Sequence, residues 1–169
     1  MIFAALTPSW YVPAIQDVDL QRLRAHGIRA IIMDLDNTLV PSDTAQPPPQ
    51  VRVWVARLHA MGFGSCIVSN NFPTRTKAMG EILQIAVVTG AVKPGPWGFR
   101  RAMRLLGTGP AQTALIGDQL FTDVLGGNLL GMRTILVDPL SPNEFPTTRL
   151  VRRVESVIRN RIIRRVRGL

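Results

Sequence analysis

The chain has 169 residues, of which 46% are apolar and 18% charged, with a formal net charge of +9. That length suits one domain with its own core, and the composition excludes a disordered or linker-type chain. No apolar run reaches the ~18 residues of a membrane span, and the N-terminus does not read as an export signal. The single cysteine, Cys66, excludes an internal disulfide or a multi-cysteine metal site.

Residues 1–27 read as an amphipathic N-terminal segment, in which Trp10, Tyr11 and Pro13 precede a short helix over Leu20–His26. The β-branched apolar run Ile28–Met33 predicts a buried strand that ends at Asp34. A polar loop from Pro41 to Pro49 leads to a helix over Val51–Met61, a strand over Ser65–Ser69 and a helix over Thr74–Leu83. A weaker strand, Ile85–Val88, a helix over Trp97–Leu106 and a strand over Thr113–Gly117 follow. A helix over Thr122–Leu130 and a strand over Thr134–Val137 close the series. This alternation predicts an α/β fold with a mostly parallel, doubly wound sheet and right-handed crossovers. Met1–Leu20 is expected to lie outside that core. Gly126 and Gly127 suit close helix packing, Cys66 suits a small core position, and His26 and His59 fall on polar helix faces without a role.

After the proline-rich loop Pro139–Pro146 the composition changes. Residues 149–169 hold eight arginines against one acid, Glu155, so nearly all of the net charge sits there. The expected organisation is one α/β domain over 1–145 and a basic amphipathic helix over 146–169.

In open α/β sheets ligands bind beyond the carboxyl ends of the strands. The first strand ends in Asp34-Leu35-Asp36-Asn37-Thr38 and the second in Ser69-Asn70-Asn71. Lys93-Pro94 follows the weak strand, and Gly117-Asp118 ends the next, with Asp123 five residues on. Several carboxylates in one crevice repel one another unless a cation neutralises them, and hard oxygen ligands suit Mg²⁺. With a lysine and a serine hydroxyl beside it, such a cation makes a place for a phosphoryl group.

These strings, DLDNT, the strand-end Ser69, Lys93 and GDQLFTD, resemble the four ordered motifs of the haloacid dehalogenase superfamily. The resemblance implies a three-layer Rossmann-like fold and Asp34 as the nucleophile that forms an aspartyl-phosphate. Asp36 would be the general acid and base. Mg²⁺ would be held by Asp34, the Asp36 backbone carbonyl, Asp118 and Asp123, while Ser69, Asn70 and Lys93 would bind the phosphate. Longer strings, from LTPSWYVP near the N-terminus to IGDQLFTDVLGGNLLGMRTILV, resemble the YqeG group within subfamily IIIA. That group is similar to mitochondrial and plastid phosphatidylglycerophosphate phosphatases, and the resemblance implies that phosphatidylglycerophosphate is the substrate.

The gaps Leu39–Gln50 and Ser69–Lys93 are too short for an inserted cap domain, so the site is expected to be open, as a macromolecular or membrane-embedded substrate requires. From Leu150 onward the apolar positions approximate a helical stripe among arginines, which is expected to lie on an anionic lipid surface, with packing on the protein or on another subunit of a homo-oligomer as the alternative. Trp10 and Tyr11 suit a lipid interface or a core position. The expected location is cytoplasmic and peripheral to a membrane. Two alternatives stay open: a soluble sugar- or nucleotide-phosphate phosphatase, and a nucleic-acid-binding module using the arginine tail, the latter disfavoured by the intact four-motif site.

Overall fold

In the computed structural model, which describes residues 2–71, 73–141 and 158–166, one six-stranded sheet runs parallel throughout. Its strands are β1 (Trp10–Tyr11), β2 (Ala30–Met33), β3 (Gly64–Ser69), β4 (Ala86–Thr89), β5 (Thr113–Gly117) and β6 (Arg133–Leu136), in the order β1-β6-β5-β2-β3-β4. The helices are α1 (Ile2–Ala5), α2 (Leu20–Ala25), α3 (Pro49–Ala60), α4 (Pro73–Leu83), α5 (Pro96–Leu106) and α6 (Leu125–Leu129). A π-type turn, Leu120–Val124, enters α6 two residues earlier than the periodicity predicts. The expected α/β class and parallel sheet are therefore present.

Residue alternation along the strands builds two layers. Ile31, Met33, Ala114, Ile116 and Ile135 face Trp54, Leu58, Met79 and Leu83 of α3 and α4. On the other face, Ile32, Cys66, Val68 and Leu115 meet Phe99, Ala102 and Met103 of α5. The period of two in a strand sends neighbours to opposite faces, so strands buried on both sides read as continuous apolar runs. Gly126 and Gly127 have the expected packing role: a Cβ at Gly126 would lie 2.5 Å from Phe99 Cε2, and one at Gly127 2.4 Å from Thr134 Cγ2.

Two expectations change. The segment Met1–Leu20 is not outside the core, because Trp10 and Tyr11 form β1, paired in register with Ile135 and Leu136. Leu6, Ile15, Val18 and Leu20 are buried as well. Two residues are too few to show strand periodicity, and the pairing strand lies more than 120 residues away in the chain. The guanidinium groups of Arg22 and Arg133 lie 4.3 and 5.1 Å from the Trp10 ring centroid, and the His26 ring meets it edge-on.

The second change concerns the arginine-rich tail. Residues 158–166 are helical, and their apolar side packs on the protein: Ile162, only 3% exposed, joins Leu6, Leu120, Val124 and Leu136. Arg159 fastens this helix, donating to the carbonyl oxygens of Asp118 (2.7 Å) and Val137 (2.6 Å) and to Asp138 Oδ1 (2.9 Å). Tyr11 donates to the other Asp138 oxygen at 2.6 Å, so one carboxylate ties both ends of the described chain to the sheet. Arg161, Arg164 and Arg165 remain exposed. The expected boundary at 145/146 and the remainder of the basic segment lie outside the described residues.

Burial pushes the Cys66 thiol up to about 12, against a smaller opposing pull from Arg101. Only the thiolate reacts, and at pH 8 this thiol is protonated and enclosed. Native protein is therefore expected to leave Cys66 unlabelled by a disulfide reagent such as Ellman's at pH 8, with stoichiometric labelling once denaturant unfolds the chain. Rapid labelling of folded protein would show the β3 core to be open.

Candidate active site

The carboxyl ends of β2, β3, β4 and β5 converge, and each delivers one of the expected polar residues. Asp34 follows β2, Ser69 closes β3, Lys93 follows β4 by four residues, and Asp118 follows β5. The π-type turn brings Asp123 back over the end of β5. Asp34, Asp118 and Asp123 are buried, and one carboxylate oxygen from each lies within 4.8 Å of the others. Lys93 Nζ donates to Asp34 Oδ1 and, at 2.7 Å, to Asp123 Oδ1.

Gly117 makes this approach possible. A Cβ there would lie 2.3 Å from Asp123 Cγ, so only glycine lets the carboxylate cross the backbone at the strand end. Asp123 also accepts the backbone N–H of Gln119 at 3.3 Å. Thr38 Oγ1 approaches Asp118 Oδ1 at 3.5 Å. After β2 the chain makes one helical turn, in which the N–H groups of Thr38, Leu39 and Val40 all reach Leu35 O, with Asn37 at φ 63°. That turn leaves Asp34 in the acidic cluster and Asp36 beside it in the chain, with the Asp36 carboxylate turned to Asn71 and Arg75.

Electrostatics shape the cluster. Burial pushes the Asp34 carboxyl up to about 8; Lys93 opposes this, while Asp123 and Asp118 push the same way as burial. Lys93 is itself raised: burial disfavours its charge, but Asp123 and Asp34 together outweigh that cost. Three buried carboxylates beside one buried ammonium leave negative charge uncompensated. An all-oxygen donor set at this spacing fits a hard divalent cation.

The other expected residues are near but differently engaged. Ser69 is buried, and its Oγ accepts Asn71 N at 3.0 Å, which leaves the hydroxyl proton available to an acceptor in the crevice. Asn70, expected to bind phosphate, uses its side chain to hold the neighbouring loop: Oδ1 accepts Lys93 N at 2.7 Å and Nδ2 donates to Lys93 O at 3.4 Å. It thereby sets where Lys93 leaves the backbone.

Three contributors escaped the sequence reading. Asn71 Nδ2 donates to Asp36 Oδ2 at 2.6 Å, and Arg75 Nε donates to Asp36 Oδ1 at 3.1 Å. Arg75 also donates to the carbonyls of Pro41 (2.9 Å) and Thr44, so one guanidinium from α4 fixes both the second aspartate and the loop after the first motif. Arg159 grips the backbone of Asp118 from the C-terminal helix. Asn71 stood inside the Ser-Asn-Asn string that marks the strand end, whereas nothing in the local pattern distinguishes Arg75 or Arg159 from solvated arginines.

A family model described as "HAD-hyrolase-like" matches residues 90–139. The "Probable phosphatase YqeG" of Bacillus subtilis is 38% identical over 148 residues, which are 88% of this chain and 86% of that protein. The chain belongs to the YqeG family of haloacid-dehalogenase-type phosphatases. Its resemblance to plant "Phosphatidylglycerophosphate phosphatase 1, chloroplastic/mitochondrial" of Arabidopsis thaliana is weaker, at 27% identity over 94% of this chain, and the chain spans 48% of that protein's length. Among solved structures, the cobalt-bound deoxy-D-mannose-octulosonate 8-phosphate phosphatase of Haemophilus influenzae aligns with a TM-score of 0.52 at 18% identity, over 66% of this chain and 69% of that one. At that identity the likeness concerns the fold.

For this YqeG-family chain, the Gly117–Asp123 contact makes a direct prediction. Gly117→Ala is expected to cost about 1–3 kcal/mol of stability through overpacking and to displace Asp123 from Lys93. Denaturant unfolding combined with hydrolysis of p-nitrophenyl phosphate checks this. A variant with wild-type stability and turnover would refute the constraint.

Proposed function

We propose that this chain hydrolyses phosphomonoesters through an aspartyl-phosphate on Asp34, with phosphatidylglycerophosphate as substrate and phosphatidylglycerol as product. The observation that carries the reading is the meeting of Asp34 with Lys93, Asp118 and Asp123 at the strand ends, a nucleophile beside a buried ammonium and an acidic cluster. The substrate rests on the similarity to plant and algal proteins named phosphatidylglycerophosphate phosphatases. An open site supports it: among the described residues, 34–48 form a loop and 70–85 a single helix with its turns, with no inserted domain over the crevice. The exposed Arg161, Arg164 and Arg165 suit an anionic lipid surface at the periphery of the membrane.

The chemistry follows from the placement of the side chains. A carboxylate oxygen of Asp34 attacks phosphorus, a bond to that oxygen forms, and the bond from phosphorus to the glycerol oxygen breaks. Asp36, whose two oxygens accept from Asn71 and Arg75, would first take up a proton from solvent on one of them and then give that proton to the departing alkoxide. Water then attacks the phosphorus, Asp36 takes the water's proton, and inorganic phosphate leaves with Asp34 restored. Lys93 and the Ser69 hydroxyl donate to the phosphoryl oxygens as their charge redistributes. Mg²⁺, held by Asp34, Asp118, Asp123 and the Asp36 carbonyl, would supply positive charge against which the carboxylates and the phosphoryl group can share one crevice.

Asp34→Asn is expected to fold normally and to lose phosphate release from phosphatidylglycerophosphate in mixed micelles to background. Asp36→Asn is expected to lose ~10²–10⁴-fold. Comparing the lipid with a panel of soluble sugar and nucleotide phosphates decides the substrate: a soluble phosphomonoester turned over far better than the lipid would replace it. Wild-type turnover by a folded Asp34→Asn protein would remove the mechanism.

Metal dependence has a defined sign with pH. Because Asp34 is raised to about 8, a proton competes with the cation for that carboxylate below this value. Mg²⁺ affinity, measured by calorimetry on chelator-stripped protein, is expected to rise from pH 6 toward pH 8 and to level off above it. An affinity that falls over this range would contradict the assignment.

A further inference from the structure

The loop between β4 and α5 carries the catalytic lysine and also an unusual tip. Val92, next to Lys93, adopts φ 51°, a left-handed conformation that β-branched residues rarely accept, and it is 77% exposed. Strain and apolar exposure fall on one residue, where glycine or asparagine would relieve both. Such a position points to a use for the side chain in solvent.

The surroundings of Val92 are rigid and chemically consistent. Gly95 N donates to Val92 O at 2.9 Å, closing a turn, and Ala91 N donates to Ser69 O at 3.2 Å. Lys93 is pinned on both sides, by Asn70 along its backbone and by two carboxylates at Nζ. Pro94 and Pro96 are exposed beside the tip, and Trp97, in the first turn of α5, is 50% exposed. The Arg101 guanidinium lies 5.4 Å from the Trp97 ring centroid, and Arg100 and Arg104 are also exposed. From residue 82 to residue 117 there is no aspartate or glutamate.

We propose that Val92 and Trp97 form an apolar prong on the rim of the active site that enters the interface of an anionic lipid surface, with Arg100, Arg101 and Arg104 meeting the headgroup phosphates behind it. The inference rests on the lipid-substrate reading above and adds the surface that presents the site to the membrane. Two arguments favour lipid over a protein partner. Tryptophan suits the boundary between apolar and wet phases, and Arg100 and Arg101 follow Trp97 by about one helical turn, ~5.4 Å, with Arg104 one turn further on, so that cationic groups lie behind the apolar tip. Because the loop is anchored through Lys93, a lipid-seated prong holds the crevice at a set height above the surface. The docked helix 158–166 contributes exposed arginines, but its apolar side is already covered by protein, so it offers the membrane charge without an apolar anchor.

The test uses the full chain and vesicles of phosphatidylglycerol and phosphatidylcholine in equal parts, beside vesicles of phosphatidylcholine alone. Val92→Asn suits the left-handed backbone and removes the apolar tip; it is expected to keep or raise the melting temperature while weakening binding to the anionic vesicles about tenfold. Trp97→Ala is expected to weaken binding similarly. Both are expected to hydrolyse p-nitrophenyl phosphate without lipid at the wild-type rate. Acyl-brominated phosphatidylglycerol is expected to quench tryptophan emission in the wild type and much less in Trp97→Phe, since Trp54 is buried and Trp10 half-buried. Undiminished vesicle binding by both variants, or quenching indifferent to Trp97, overturns the proposal and leaves the surface to a protein partner. Vesicle binding through Val92 and Trp97 without phosphate release from phosphatidylglycerophosphate keeps the surface and removes the substrate. Hydrolysis in micelles with binding indifferent to both substitutions does the reverse.

Discussion

Lys93 reaches from the end of β4 into the space between Asp34 and Asp123, and the placement of this one buried ammonium orders much of the architecture around it. Unpaired buried charges are costly, and breaking a buried pair by removing one partner leaves the other uncompensated. The carboxylates here are three and the ammonium is one, so the crevice holds a standing deficit of positive charge that a divalent cation is suited to fill. The surrounding backbone is arranged to keep these groups in register: Asn70 grips both backbone polar groups of Lys93, Gly117 clears the path of Asp123, and a tight turn through Leu35 O follows Asp34.

Two arginines extend this control outward from the cluster. Arg75 joins α4 to Asp36 and to the loop that follows the first motif, while Arg159 joins the C-terminal helix to the carbonyl of Asp118. Hydrogen bonds to a charged group contribute about 1.5–3 kcal/mol each when well formed. Both guanidiniums use their planar fork to reach several acceptors at once, which a lysine cannot match. With no inserted cap among the described residues, these braces hold the loop and strand end that border the site.

The absence of a cap among the described residues also changes what the rim must do. A covered site selects its substrate by enclosure, whereas an open one selects by the surface against which it sits. Val92 and Trp97 are exposed beside Lys93, with Arg100, Arg101 and Arg104 following them and no acid between residues 82 and 117, so this rim is apolar at its tip and basic behind it. The apolar side of residues 158–166 is used differently, against Leu6, Leu120, Val124 and Leu136.

The sequence by itself determined the parallel α/β class and the strand ends beside which the six candidate site residues lie, because buried parallel strands are written as contiguous apolar runs and the candidate motifs follow them. Asp34, Asp36, Ser69, Lys93, Asp118 and Asp123 were legible for that reason. Tertiary structure alone decided three other matters. Trp10 and Tyr11 became an edge strand only through pairing with β6, a contact too short and too distant in the chain to leave a periodic trace. The seat of residues 158–166 went against the lipid expectation, since an amphipathic stripe takes whichever apolar face is placed beside it, and Leu6, Leu120, Val124 and Leu136 supply one. Asn70, Arg75 and Arg159 took their roles from partners 23, 39 and 41 residues away. Long polar side chains show no local pattern that names their acceptors; only folding brings a guanidinium to a particular carbonyl.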